Sequence, residues 1–339
     1  MRNRTLDMVK AISAYAVVLL HIRFPGTAGN VANVLTRFAV PVFFMISGYF
    51  CYRGDDTEFS RLGKKIRHVM MLIMIAFPVW ILWELIQNQI DGDSQKKWLE
   101  SLVSGEHIRQ FLLYNNSSQV KWHLWFLPAL LYCYLLFALV SRFRIYKVAY
   151  VMIPVLLMIH FGMEEFSPYF GEEFRVMQFR NYLFTGFPFF MLGHLIHGHQ
   201  KRLEQYFKGK NEIFLYGMII FGGISSLLEY RYFEKQELFL GSVCMAACLF
   251  MIALLKKDAK TSEALVTAGQ KYAFFIYLFH LCAADILKDF FDAAGLGKNM
   301  IYLWARPILV CGLVTCAAAG YFMIFSQLKP VIQSKNMLK

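Results

Sequence analysis

Residues 7–21 read DMVKAISAYAVVLLH, an apolar stretch with ionisable side chains near both ends. Because an α-helix turns once every 3.6 residues, Asp7, Lys10 and His21 fall on one helical face. An ionisable side chain at a membrane centre costs about 2.5 to 3.5 kcal/mol, so one that is kept there indicates a functional site. The stretch therefore predicts a first membrane helix that carries an acid, a base and a histidine along one stripe.

The composition of the whole chain supports a membrane location for this helix. Hydrophobic residues make up 58% of the sequence and charged residues 17%, whereas soluble domains have about 45 to 50% and about 25%. Long windows such as residues 69–86 contain a single full charge, Glu84. We expect an all-α integral membrane protein, with one membrane domain over residues 1–339 and no appended soluble domain.

Hydrophobic segments of spanning length recur along the chain and predict about ten transmembrane helices. Their predicted bounds are 8–24, 33–52, 66–88, 122–141, 147–163, 181–198, 212–229, 238–255, 270–288 and 300–326. An even number of spans places both termini on one side. Lys and Arg are more frequent in the segments on the side of the termini, which predicts cytoplasmic termini and a multi-pass protein of the cytoplasmic (inner) membrane. The long segment 89–121 is then an outer loop.

The net charge of +12 agrees with this topology and does not require a nucleic-acid partner. A nucleic-acid-binding protein would show a basic soluble face with interleaved aromatic residues, and the sequence contains none. The expected partners are the lipid bilayer and small molecules. Oligomeric state has no signature in the sequence.

Five sequence motifs in fixed order resemble the acyltransferase-3 family of membrane proteins. They are Asp7…Lys10-x10-His21, the run RFAVPVFFMISGY from Arg37 to Tyr49, the run WHLWFL from Trp122 to Leu127, Arg180-Asn181 followed by Pro188 to Gly193, and Tyr277-Leu-Phe-His280. The family pattern is a basic residue, ten residues of any kind and a histidine. Lys10 stands where many members have Arg.

This resemblance implies a ten-helix membrane O-acyltransferase. Such a protein moves an acyl group, commonly acetyl, from cytoplasmic acetyl-CoA to a hydroxyl of a cell-surface or lipid-linked saccharide. Acetyl-CoA is then a co-substrate, and no metal is expected. The alternative from another class is a transporter of a small molecule or polysaccharide without acyl chemistry, since relatives include membrane domains proposed to move serine or to export polysaccharide.

His21 is the expected general base, with Asp7 and Arg37 as the other catalytic candidates. A hydroxyl is a poor nucleophile until its proton is removed, and an imidazole can accept that proton and pass it to the leaving thiolate. The same histidine could instead carry the acyl group transiently or pack between helices. Arg37 lies within a span, where it either forms an ion pair or binds the acceptor or the thioester carbonyl. We expect it close to His21.

The expected donor-binding residues are Lys10, Lys64, Arg67 and His280. The basic side chains suit the phosphates of coenzyme A. Lys10 could equally pair with Asp7 three residues earlier. Lys64 and Arg67 could simply reflect the basic inner side of the membrane. His280 could instead form a core hydrogen bond.

The expected acceptor-binding residues are His123, Arg180 and Asn181, which begin inward-going spans on the outer side. They could line a cavity that holds a sugar through hydrogen bonds. The neighbouring Trp122 and Trp125 are typical interface anchors. Glu84 and Asp285 also lie deep in predicted spans, and the sequence provides no partner for either.

Overall fold

The computed structural model describes residues 3–54, 58–171, 173–234, 236–257 and 259–336, and these residues form helices and no strands. The first eight α-helices are α1 (Arg4–His21), α2 (Gly26–Thr36), α3 (Ala39–Tyr49), α4 (Glu58–Asp91), α5 (Gln95–Leu102), α6 (Gly105–Tyr114), α7 (Phe126–Phe143) and α8 (Tyr146–Phe161). The others are α9 (Val176–Phe179), α10 (Phe187–Gly198), α11 (Gln200–Phe207), α12 (Glu212–Phe233), α13 (Leu240–Leu255), α14 (Glu263–Thr267), α15 (Ala273–Ala293) and α16 (Met300–Asn336).

Six helices in the described chain are long and apolar enough to cross a membrane, so the protein is an all-α multi-pass membrane protein. They are Gly26–Tyr49, Phe59–Asp91, Trp122–Phe143, Tyr146–Phe166, Glu212–Phe233 and Met300–Gln327. Each overlaps one predicted span. The predicted spans 8–24, 181–198, 238–255 and 270–288 are also helical, but they are shorter, broken or more charged. Ten spans and cytoplasmic termini stay predictions.

The first two spans differ from the sequence prediction at their ends. α1 begins at Arg4 because the Asn3 side chain accepts a hydrogen bond from the backbone N–H of Leu6, and it ends at His21 because Ile22 is extended. His21 is therefore the last residue of its helix rather than an interior one. α2 begins at Gly26, earlier than predicted, and the helix is interrupted at Arg37 before α3.

Segment 89–121, predicted to be an outer loop, contains two short helices that the sequence analysis did not predict. α5 is capped by the Ser94 side chain and α6 by that of Ser104, each of which accepts a backbone N–H in the first turn. α6 ends at Asn115, whose φ of 58° is left-handed. Ser and Asn are the usual residues at such positions, so these signals were present in the sequence.

The chain divides into two compact units. The first unit comprises Met1–Val40, Phe207–Arg231 and Phe239–Lys339, and the second comprises Pro41–Tyr206 and Tyr232–Leu238. In the first unit, α1 packs against α2, α13, α15, α16 and a π-helical segment, Ala268–Tyr272. Each unit is therefore assembled from segments that are distant in sequence.

Within the second unit, α4 packs on α7 and α10 packs on α8, with a second π-helical segment, Tyr182–Gly186, against α7 and α8. α3 and α10 approach closely at two glycines. A Cβ on Gly48 would overlap the backbone of Phe190, and one on Gly193 would overlap the backbone of Met45. Small residues allow such helix contacts in membranes.

Candidate functional site

The imidazole rings of His21 and His280 stack on each other within the first unit. Their centroids are 5.1 Å apart and their planes differ by 14°. His280 is fully buried, and its Nδ1 lies 2.8 Å from the carbonyl oxygen of Tyr277. A carbonyl oxygen only accepts hydrogen bonds, so Nδ1 of His280 carries a proton and donates it. The histidine of α15 therefore has a fixed orientation against the histidine that ends α1.

Asp7 is held at the other end of α1 by the π-helical segment Ala268–Tyr272. Gln270 donates from Nε2 to Oδ2 of Asp7 at 2.9 Å. Gly269 lies so close that a Cβ there would overlap the carbonyl oxygen of Asp7. The sequence analysis missed Gln270, because a contact across 263 residues leaves no local pattern.

Arg37 is linked to the end of α1 through Asn33. The side-chain oxygen of Asn33 accepts hydrogen bonds from Nε and Nη2 of Arg37 at 3.3 and 3.1 Å. The Asn33 amide donates to the carbonyl oxygen of Leu20 at 2.9 Å, beside His21 in the chain. Asn33 thus links Arg37 to the residue before His21, and proximity of the Arg37 and His21 side chains stays a prediction. Asn33 is four residues before Arg37, a spacing that could have identified it.

The basic donor candidates occupy different environments. Lys10 is half-buried on α1, whereas Lys64 and Arg67 are exposed on α4 in the second unit. The intervening Lys65 donates to the carbonyl oxygen of Phe50 at 2.8 Å and lies 5.8 Å from the Tyr134 ring centroid. Lys65 therefore joins α4 to the end of α3, and Lys64 and Arg67 present their charges at the surface.

In the second unit, His123 is buried beside an ion pair. Its ring meets that of Trp80 edge to face, with centroids 4.8 Å apart. Nζ of Lys121 lies 2.6 Å from Oε1 of Glu84 and 5.4 Å from the Trp80 ring centroid. The sequence had provided no partner for Glu84, and the structure gives it one.

Arg180 forms an ion pair with a residue from a distant loop. Its Nη1 lies 3.0 Å from Oε2 of Glu237, and its guanidinium lies 5.5 Å from the Trp125 ring centroid. Glu237 also donates its backbone N–H to Oε1 of Glu164. Arg180 is thus part of a polar network within the second unit.

His160 and Glu164 complete this network, and the sequence analysis missed both. Nε2 of the fully buried His160 lies 3.0 Å from Oε2 of Glu164, and Nδ1 lies 3.1 Å from the carbonyl oxygen of Phe179. Contacts at both ring nitrogens therefore hold the His160 side chain in one orientation. His160 and Glu164 are four residues apart, a spacing that places both on one helix face and could have predicted their contact.

Asn181 uses its side chain to cap the π-helical segment Tyr182–Gly186. Its oxygen accepts from the backbone N–H groups of Leu183 and Phe184, and its amide donates to the carbonyl oxygens of Met177 and Gln178. These four contacts use its full hydrogen-bonding capacity. The geometry therefore gives Asn181 a local structural role, and acceptor binding by this residue stays a prediction.

The predicted site residues are divided between the two units. Asp7, Lys10, His21, Arg37 and His280 belong to the first, and Lys64, Arg67, His123, Arg180 and Asn181 to the second. The first group contains the stacked histidines and the contacts that fix them. Across the described ranges, no group of three or more His, Cys, Asp or Glu residues is placed to hold a metal ion.

Comparison with known sequences matches nearly the whole chain to one family. The sequence model of that family, described as an acyltransferase domain, matches residues 3–322. A serine/alanine racemase from Enterococcus gallinarum is 27% identical over 145 residues, which are 39% of this chain and 18% of that protein. An amino-acid racemase from Enterococcus faecalis is 21% identical over 346 residues, which are 96% of this chain and 46% of that protein.

The chain therefore spans less than half the length of these two relatives. No solved structure gives a significant match.

Proposed function

Since the chain belongs to the acyltransferase-3 family, we propose that it transfers an acetyl group from cytoplasmic acetyl-CoA to a hydroxyl of a cell-surface or lipid-linked saccharide. Family membership supports a membrane acyltransferase in the broad sense. The acetyl donor, the saccharide acceptor and the location in the cytoplasmic membrane belong to the proposal.

The observation that carries this proposal is the stack of His21 on His280. Ring contact and the fixed Nδ1 of His280 restrict how the His21 imidazole can turn, and acid–base catalysis requires a base held in one place. We therefore propose a positioning role for His280 beside the general base, and the donor-binding role expected from the sequence stays a prediction.

In the proposed reaction, the acceptor oxygen forms a bond with the carbonyl carbon of the thioester while His21 takes the hydroxyl proton. The carbon–sulfur bond then breaks, and the coenzyme A sulfur leaves as a thiolate that receives the same proton from His21. Acyl transfer through His21 itself is the covalent form of the same chemistry. In this proposal, Gln270 holds Asp7 near the start of α1, and Asn33 holds Arg37 and contacts the end of the same helix.

Lys10, Lys64 and Arg67 are proposed to bind the phosphates of the donor. The exposed positions of Lys64 and Arg67 on α4 support this role, because a large charged ligand needs accessible cations. His123 and Arg180 are proposed to contact the acceptor on the outer side.

A second candidate function is transport without acyl chemistry, and the names of the two relatives suggest a small amino acid as the substrate to test. Both are called racemases, one of them of serine and alanine, and the second aligns with 96% of this chain. A membrane carrier of a small amino acid would also need buried charged groups along its path. In this alternative, the same residues bind a substrate that crosses the membrane without acyl chemistry.

One experiment separates the two functions. The purified protein is placed in lipid vesicles with radiolabelled acetyl-CoA and a panel of glycans, and in a parallel assay with radiolabelled serine. Coenzyme A release that requires a glycan, and that His21→Ala abolishes at unchanged protein abundance, supports the acyltransferase. Full transfer by His21→Ala contradicts the role of His21. Serine uptake without coenzyme A release supports the carrier.

A further inference from the structure

Three buried polar atoms near Arg180 have no hydrogen-bond partner among the described residues. They are Nδ2 of Asn115, Nε of Arg180 and Oε1 of Gln236. Asn115 is fully buried and Gln236 is 4% exposed. Folded proteins satisfy nearly all buried donors and acceptors, so three such atoms in one region need an explanation.

Direct hydrogen bonds join the three segments that carry these atoms. Oδ1 of Asn115 accepts from the backbone N–H of Tyr182 at 3.2 Å, two residues after Arg180. Glu237, which follows Gln236 in the chain, accepts from Nη1 of Arg180 at 3.0 Å. All three segments belong to the second unit, and the segment of Arg180 and Tyr182 contacts both of the others.

The local fold does not depend on the Asn115 side-chain amide or on the Gln236 side chain. The left-handed backbone at Asn115 favours Asn, Asp or Gly, and the contact with Tyr182 uses only its side-chain oxygen. The Nδ2 donor therefore has no part in this turn. Likewise, Glu237 rather than Gln236 makes the contact with Arg180.

We propose that Asn115, Arg180 and Gln236 form a subsite that binds hydroxyl groups of the acceptor. Two of the orphaned atoms are donors and one is an acceptor, and a hydroxyl group can both accept and donate a hydrogen bond. The charge of Arg180 is already paired with Glu237, so these three residues offer no unpaired cation to an anionic ligand and suit a neutral polyhydroxylated one. This inference rests on the proposed function, because it names further contacts of the same acceptor.

Gln236→Met tests the subsite most sharply. Methionine has nearly the same length as glutamine but lacks the amide, so the buried unpaired oxygen disappears. The probe is a panel of methyl glycosides of glucose, galactose, mannose and N-acetylglucosamine, assayed for transfer from labelled acetyl-CoA. We expect the acceptor KM to rise about tenfold, because the variant loses one hydrogen bond to the ligand. The KM for acetyl-CoA stays unchanged, and the melting temperature in detergent stays equal or rises.

Asn115→Asp tests the same subsite from another segment. It keeps the oxygen that accepts from Tyr182 and removes the unpaired donor, so the acceptor KM rises by a similar factor. The matched control is Gln89→Met at an exposed amide of α4, whose oxygen accepts from Gln95. This control leaves the acceptor KM as in the unmodified protein.

A folded Gln236→Met or Asn115→Asp protein with an unchanged acceptor KM overturns the subsite. If the unmodified protein transfers acetyl groups to no glycoside, the proposed function fails first. Binding of the same glycosides, measured by saturation-transfer NMR, then tests the subsite independently of acetyl transfer. Binding that the two variants lose supports it, and absence of glycoside binding overturns it.

Discussion

His280 places its imidazole face against that of His21, with ring centroids 5.1 Å apart and planes 14° from parallel. The contact joins the last residue of α1 to the buried side of α15. Nδ1 of His280 is committed to the carbonyl oxygen of Tyr277, so its ring cannot turn freely. The pair is a rigid support for the imidazole that is proposed as the general base.

Replacement of His280 by Asn is expected to lower kcat about 10- to 100-fold, because a small displacement of a catalytic group has effects of this size. Asn keeps a donor near Nδ1 and so preserves the contact with Tyr277. It removes the ring face on which His21 rests. The KM values for donor and acceptor should stay within about twofold in steady-state transfer assays.

His199→Asn is the matched control for this change. Its Nδ1 also contacts a carbonyl oxygen one turn earlier, that of Leu195, but the residue is exposed. The control should retain full activity. An unchanged kcat in His280→Asn would show that the stack has no part in the reaction.

Gln270→Glu is expected to destabilise the protein by about 1 to 3 kcal/mol and to reduce transfer. The amide that donates to Oδ2 of Asp7 becomes a second carboxylate, and the two carboxylates repel each other. The change in melting temperature should shrink as the pH falls toward the ordinary carboxyl pKa of about 4, since a protonated carboxyl can donate again.

The control for this prediction is Gln89→Glu, in which the exposed side chain keeps the oxygen that accepts from Gln95. That variant should melt like the unmodified protein at every pH. A melting temperature of Gln270→Glu that matches the control would argue against a structural role for the Asp7 contact.

Hydrophobic length and helical spacing predicted the helical class and the positions of the six long spans. These features follow from local periodicity, which a sequence displays directly. Long-range partners follow from packing instead. Gln270 reaches Asp7 because Gly269 lets the π-helical segment approach α1, and neither residue lies near Asp7 in the chain.

The sequence also placed Arg37 inside a continuous span, whereas the helix is interrupted there. Asn33 and Arg37 are four residues apart, so the side-chain contact between them at this interruption could have been expected from their spacing. The second contact of Asn33, to the carbonyl oxygen of Leu20, depends on the packing of α2 against α1. Local spacing could thus have indicated only the contact between Asn33 and Arg37.

Asn33→Leu and Asn33→Asp separate the two contacts of Asn33. Leu removes both, so it is expected to lower kcat about tenfold or more by releasing Arg37. Asp keeps an acceptor for Arg37 and loses only the donor to Leu20, so it should retain more activity than Leu. Transfer assays at equal membrane abundance measure the difference. Equal activity of the two variants would contradict the positioning of Arg37 by Asn33.

The pair Glu84 and Lys121 is expected to stabilise the second unit through a charge interaction that is largely removed from solvent. Their side chains are 15% and 17% exposed, and the atoms are 2.6 Å apart. Glu84→Gln leaves the lysine charge without its carboxylate and should cost about 1 to 3 kcal/mol, which corresponds to a melting temperature lower by several degrees.

A double-mutant cycle tests whether the effect comes from the charge pair. Lys121→Met alone removes the cation that pairs with Glu84 and should also destabilise the protein. The double variant removes both charges, so it should melt closer to the unmodified protein than either single variant does. Because Lys121 lies over Trp80, which contacts His123, the single variants should also raise the acceptor KM. Additive losses in melting temperature would show that Glu84 and Lys121 act independently.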